Sequence, residues 1–247
     1  MKPVKKQAEL EPRKLLIKSL GSNSPVVEAF RTLRTNLQFA GVKAPLKVIE
    51  VTSTAPGEGK SSVAANLASV MALASGAGCV LVDADLRKPV QAKTFGLSGR
   101  VGLTNVLMGS LTWREALKET GIEGLKLLPS GPTPPNPAEL LESEAMAKLL
   151  AELREAHDVV IVDTPPALPV TDAALLAPKV DGTILVVRAG STPREAALRG
   201  KQLSENAHAR IVGVVLNQVQ PKDSRYQHYY HYYSDHEREA MATQSVS

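Results

Sequence analysis

The stretch Val48-Ile49-Glu50-Val51-Thr52-Ser53-Thr54-Ala55-Pro56-Gly57-Glu58-Gly59-Lys60-Ser61-Ser62 decides how the rest of the chain is read. Its β-branched start predicts a short central strand. Pro56, Gly57 and Gly59 then punctuate a turn, and Ser61 and Ser62 open an alanine-rich helix from Val63 to Ala74. Backbone N–H groups at such a helix start point at an anion. Lys60 adds a compact positive charge suited to β- and γ-phosphates, and the Ser61 hydroxyl is placed to ligate a bridging Mg²⁺. The pattern is that of a P-loop with one departure. Thr54 stands where the first glycine of G-x-x-x-x-G-K-[ST] falls, and Gly57 is expected to supply the flexibility instead. The plainer alternative is a Gly-Lys turn feeding an ordinary helix.

Outward from this loop, 247 residues with 43% hydrophobic content suit one α/β domain with a full core and two tails. No apolar run approaches the roughly 18 residues that span a bilayer, which predicts a soluble protein. The basic segment Met1 to Lys18 has no apolar stretch behind it and does not read as a secretory signal. Cys79, the one cysteine, heads an apolar strand and reads as a small core residue in a reducing cytoplasm. Residues 1–18 carry six Lys or Arg against Glu9 and Glu11, an excess equal to the +4 of the whole chain. Such an arm is either a solvated tail or a patch for an acidic partner or the anionic inner membrane surface. No aromatic residues accompany its charges, so nucleic acid is not the expected partner.

Along the chain, Ser24 and Pro25 read as the cap and first position of a helix whose apolar stripe is Val26, Val27, Phe30, Leu33 and Leu37. Glu28, Arg31 and Arg34 step along another of its faces. Taken alone they describe a solvated ion-pair face. Further strands are expected at 79–83, 125–128, 159–163, 183–187 and 211–216. Two short helices are expected between 99 and 120, a long one from Ala138 to Ala156 capped by Asn136, and others near 172–177 and 194–207. Trp113 reads as a packing residue. Continuously apolar strands separated by helices predict a mostly parallel central sheet with helices on both faces. Ligands of such sheets bind beyond the strand carboxyl ends, where Asp83, Asp163 and Asn217 fall.

From Gln220 to Glu239 there is no Ala, Val, Ile, Leu or Met, so this segment cannot build a core. It nevertheless holds all five tyrosines, Tyr226, Tyr229, Tyr230, Tyr232 and Tyr233, together with His228, His231 and His236. The expected organisation is a basic arm over 1–24, a P-loop domain over 25–219 and a tyrosine-rich tail over 220–247.

Asp83 and Asp85, two apart at a strand end, point to one face in extended backbone, and a parallel sheet brings Asp163 to the same edge. The structural alternative for all three is a set of turn residues. Beside a P-loop they would bind metal and orient or deprotonate an attacking oxygen, either water or a hydroxyl.

Six motifs in order resemble the bacterial protein-tyrosine kinases associated with capsule and exopolysaccharide synthesis. Thr52 to Ser62 resembles their Walker A, Val80 to Pro89 (VLVDADLRKP) their Walker A′, and Val159 to Pro166 (VVIVDTPP) their Walker B. Leu128 to Leu141 (LPSGPTPPNPAELL), Glu28-x-x-Arg31-x-x-Arg34 and the tyrosine cluster complete the set, over about residues 22–236. The resemblance implies a P-loop NTPase fold and ATP-dependent phosphorylation of tyrosine. It places Gly57, Glu58, Gly59, Lys60, Ser61 and Ser62 on the nucleotide, with Asn217 at the adenine. It makes Asp83 the base, puts Asp85 and Asp163 with Ser61 on Mg²⁺, and makes the five tail tyrosines the phosphorylation sites. It further implies a homo-oligomeric ring held through Glu28, Arg31 and Arg34, in which the tail of one subunit enters its neighbour's site. A separate transmembrane activator would recruit the cytoplasmic protein to the membrane, and other tyrosine-containing proteins would be substrates. Two alternatives remain open at this point. One is a switch ATPase of the chromosome-partitioning and septum-positioning class, although Ala55 stands where that class carries a signature lysine. The other is a His/Tyr metal-binding tail on an inert scaffold.

Overall fold

The computed structural model describes residues 16–20, 24–42, 44–74 and 78–220. The tyrosine cluster and most of the basic arm lie outside these described residues.

Strand β1 (Val48–Ser53) is buried along its whole length because it is paired on both edges and covered on both faces. The sheet has seven strands in the order β3-β4-β2-β5-β1-β6-β7. Here β2 is Cys79–Asp83, β3 Lys118–Glu119, β4 Leu125–Leu128, β5 Val159–Asp163, β6 Gly182–Arg188 and β7 Ile211–Asn217. All pairings are parallel except β3 with β4, as expected for strands joined by helical crossovers. Side-chain alternation sorts the core into two layers. Ile49, Val51, Leu81, Ile161 and Ile184 pack under helices α1 (Pro25–Ala40) and α2 (Lys60–Ala72). Val48, Val80, Val82, Val160 and Val162 pack on the opposite face, with Met146, Leu149, Leu150 and Leu153. The short helix α3 (Gln91–Phe95) joins the first layer through Phe95, and the second contains α4 (Leu103–Leu107), α5 (Trp113–Ala116), α6 (Pro137–Glu142), α7 (Glu144–Ala156) and α8 (Asp172–Leu176). The last helix, α9 (Arg194–Asn206), connects β6 to β7.

Several expectations meet the structure directly. Ser24 caps α1 with its hydroxyl on the Val26 N–H and Pro25 at the first position. Cys79 is a buried free thiol, and Trp113 packs in the second layer with its ring N–H donated to Glu152. Others are corrected. The long helix from 138 is two helices, because Ser143 is extended (ψ 157°) and its hydroxyl caps the new helix at the Met146 N–H while donating to the Leu140 carbonyl. Asn136 precedes α6 but donates to the Glu139 side chain and makes no capping bond. The two-residue antiparallel strand β3 carries no periodicity of its own and was not expected. Residues 16 and 17, read as part of a solvated arm, are buried. Ile17 forms a 3-10 turn whose N–H donates to Asn66 Oδ1 of α2 at 2.9 Å.

Glu50 of β1 is a carboxyl buried in the core, 1% exposed. Burial pushes its carboxyl up to about 7, against the hydrogen bond donated by the Thr183 hydroxyl at 2.9 Å. Desolvation wins because neutral hydroxyl donors, Thr183 and the weaker Thr164, each recover only about 1 kcal/mol of what water supplied. The folded carboxyl therefore keeps its proton up to about pH 7, whereas the unfolded chain releases it near 4.5. The native state binds more protons between those values, so stability falls as pH rises through that window. The Glu50→Gln variant is expected to show a flatter dependence of its unfolding midpoint between pH 4.5 and 7. Identical pH slopes for both proteins would rule out this source.

Candidate active site

The loop between β1 and α2 is shaped by two left-handed glycines, Gly57 (φ 82°) and Gly59 (φ 91°). At Gly59 there is also no room for a side chain. A Cβ there would lie 2.1 Å from Asn217 Nδ2, which donates to the Glu58 carbonyl at 2.8 Å and ties the end of β7 to the loop. The departure at Thr54 has a structural counterpart in α9. Thr54 is fully buried, and Gly200 lies against it so closely that a Cβ on 200 would sit 3.3 Å from its methyl group. A larger residue at the head of the loop is thus matched by a missing one in the helix beside it.

Glu58 has a role that the sequence did not disclose. Its side chain turns inward, with Oε2 accepting from the Ala55 N–H at 2.9 Å and Oε1 from the Thr192 hydroxyl. The carboxylate braces the loop, which leaves its backbone as the part of Glu58 available to a phosphate.

At the other side of the loop, parallel pairing sets Asp83 of β2 directly opposite Asp163 of β5. Lys60, at the start of α2 and only 9% exposed, donates to Asp85 Oδ2 at 2.8 Å, Asp163 Oδ1 at 3.3 Å and Ser61 Oγ at 3.1 Å. Burial alone would lower its ammonium, but the Asp163 and Asp85 carboxylates outweigh that and hold it above the usual lysine value. Asp83 is fully buried. Its Oδ2 accepts from the Gln91 N–H at 2.9 Å, while its Oδ1 has no partner among the described residues. Burial first and the neighbouring Asp163 second push its carboxyl up to about 8. Gln91 was also missed in the sequence. It is fully buried, and its side-chain Nε2 donates to Asp163 Oδ2 at 2.7 Å and to the Ser61 carbonyl at 3.0 Å.

Above this cluster opens a cleft of about 380 Å³, lined by the loop residues 56, 57 and 59–62, by Asp85, Arg87 and Lys88, and by a proline wall of 165, 166 and 169. Asp85 reaches the cleft. Asp83 and Asp163 lie behind it. Arg87 is fixed at the rim by two parallel bonds, from Nε and Nη2, to the buried Asp172 carboxylate at 2.9 and 2.8 Å. The donors suit a divalent cation that prefers hard oxygen ligands, since the Lys60 ammonium already touches Ser61 Oγ, Asp85 and Asp163 as a cation. Among the described residues no group of three or more His, Cys, Asp or Glu could hold an ion alone. A metal here therefore needs oxygens from the nucleotide, the usual way Mg²⁺ is bound.

The interface candidates are only partly together. Glu28 and Arg31 pair with each other on the exposed side of α1, while Arg34 lies across α2 with Nη1 3.4 Å from the Val70 carbonyl.

Residues 45–246 match the family model described as ParA, NUBPL iron-transfer P-loop NTPase. The chain is 43% identical over 203 residues to the tyrosine-protein kinase YwqD of Bacillus subtilis, covering 82% of this chain and 85% of that one. The chain belongs to the bacterial protein-tyrosine kinase family. The putative tyrosine-protein kinase CapB of Staphylococcus aureus is 36% identical, over 86% of this chain and 92% of its own. The solved structure of the chimerical protein CapA2B2 superposes with a TM-score of 0.80 at 40% identity, covering 83% of this chain and 90% of that one. Membership in this P-loop family carries nucleotide binding with it. No helix among the described residues is long and apolar enough to cross a membrane.

The brace role of Glu58 separates from a ligand role by experiment. Glu58→Ala is expected to lower the unfolding midpoint without nucleotide, since hydrogen bonds to a charged group contribute roughly 1.5–3 kcal/mol. A residue acting only on a ligand would leave that midpoint unchanged.

Proposed function

We propose that the protein transfers the γ-phosphoryl group of ATP to tyrosine hydroxyls, first those of its own C-terminal cluster in a neighbouring subunit, and that this regulates capsular or exopolysaccharide synthesis and export. The observation that carries the reading is the Lys60 ammonium at the helix start between Asp85 and Asp163, in a family of tyrosine kinases. The backbone of residues 57–62 would cradle the phosphates, and Asn217 would contact the adenine. Ser61, Asp85 and Asp163 would hold Mg²⁺, which when bound neutralises charge between the β- and γ-phosphates. Lys60 would leave its carboxylates for the phosphates.

In the reaction a tyrosine oxygen bonds to the γ-phosphorus, the bond to the β-phosphate oxygen breaks, and the hydroxyl proton passes to a carboxylate. We assign that role to Asp83: its Oδ1 accepts no bond among the described residues, and a cation arriving beside it would offset the burial and the Asp163 charge that hold its proton in the resting protein. The domain is assigned to 25–219, with the basic arm before it and the acceptor tail after it. Glu28, Arg31 and Arg34 are assigned to the ring contact, and a separate transmembrane activator to membrane recruitment.

Incubation of the full chain with Mg-ATP and its activator is expected to place phosphate on Tyr226, Tyr229, Tyr230, Tyr232 or Tyr233, read by mass spectrometry. Lys60→Met should abolish it. Asp83→Asn should lose 10²–10⁴-fold in rate while still binding nucleotide. ATP hydrolysis with no phosphotyrosine would contradict the reading. Replacing both Arg31 and Arg34 by Ala should shift the light-scattering mass toward monomer, and an unchanged mass would remove the interface assignment.

A further inference from the structure

Gln91 does not line the cleft, yet like Lys60 it binds three pieces of the catalytic machinery at once. Its backbone N–H, left unpaired at the start of the short helix α3, donates to Asp83 Oδ2 at 2.9 Å. Its side-chain amino group spends its two hydrogens on Asp163 Oδ2 at 2.7 Å and on the Ser61 carbonyl at 3.0 Å. The amide cannot be turned over, because that would set its oxygen against two other acceptors. Its Oε1 meets no donor among the described residues, so the amino end alone fixes the side chain. Only a glutamine fits this demand: two N–H groups on one atom, no charge, and a reach from α3 to both β5 and α2.

We propose that Gln91 is a positioning residue that holds the Asp163 carboxylate and the first turn of α2 in a metal-binding arrangement while Lys60 exchanges partners. Lys60 contacts Asp163 through Oδ1 and Gln91 contacts it through Oδ2, so departure of the ammonium leaves the second grip intact. The Ser61 carbonyl is held by the same amide, which fixes the residue whose hydroxyl would ligate the metal. Without Gln91 the carboxylate is free to rotate when its cation leaves. Outer partners of metal-ligating groups of this kind contribute about 10–100-fold to metal affinity.

The inference rests on the reading of a Mg²⁺-nucleotide site, and its test separates the two. The probe is N-methylanthraniloyl-ADP fluorescence on the full chain, titrated with Mg²⁺ and, separately, in EDTA. Gln91→Met keeps the volume and removes both bonds. It is expected to raise the Mg²⁺ half-saturation about 10–100-fold, with ADP affinity in EDTA close to wild type and an unfolding midpoint in EDTA that is lowered, since a buried carboxylate oxygen loses its donor, but leaves the variant folded under assay conditions. Gln91→Asn, too short to reach both acceptors, is expected to do the same. A folded variant with an unchanged Mg²⁺ requirement would overturn the proposal. So would an equal loss of ADP affinity in EDTA, or failure of both variants to fold, since either would make the residue merely structural. If wild type itself shows no Mg²⁺ dependence, the failing premise is the Mg²⁺-nucleotide site.

Discussion

The site depends on one buried ion cluster, the Lys60 ammonium seated between Asp85 and Asp163. Taking three such charges out of water is expensive, and the arrangement holds only because each is paired and the remaining lone pairs are used. Asp85 spends its second oxygen on the Lys88 N–H at 2.9 Å, and Asp163 spends its own on Gln91. A cluster so balanced has one low-cost way to change. A new cation and a new anion must arrive together, so that the carboxylates and the ammonium exchange partners without any being left bare. A Mg²⁺-polyphosphate supplies that pair of charges, which ties the electrostatics of the resting protein to the chemistry of its family.

The fold serves this cluster through register. Parallel pairing of β2 with β5 sets Asp83 against Asp163, and pairing of β1 with β5 sets Val51 beside the same residue, so the loop that follows β1 opens over the carboxylates. A one-residue slip would send these side chains to the opposite face. The continuous apolar burial of all three strands is what prevents it.

Much of this was legible because it sits at the ends of strands. Lys60 follows a glycine-punctuated turn, and Asp83 and Asp163 each terminate a run of buried apolar residues, where a carboxylate has few structural uses. Gln91 was not legible. It lies six residues past Asp85, and only the path of the intervening loop brings it under Asp163. Glu58 was read as a nucleotide contact from its place in the motif, but the partner that turns it inward, Thr192, is far along the chain. The break at Ser143 was masked by the strong helical pattern on both sides of it. The burial of residues 16 and 17 was hidden by the charge that surrounds them in sequence. In each case the deciding partner is remote or the local signal is outweighed, whereas the strand-end residues carry their reason beside them.

On nucleotide binding Lys60 is expected to trade its carboxylates for phosphates while Gln91 keeps Asp163 in place. The direct measurement is a crystal structure of the full chain with Mg²⁺ and a non-hydrolysable ATP analogue. The expected result is Lys60 Nζ on phosphate oxygens and away from Asp85 and Asp163, with Asp163 Oδ2 still on the Gln91 amide. A bound nucleotide with Lys60 still paired to both carboxylates would contradict it.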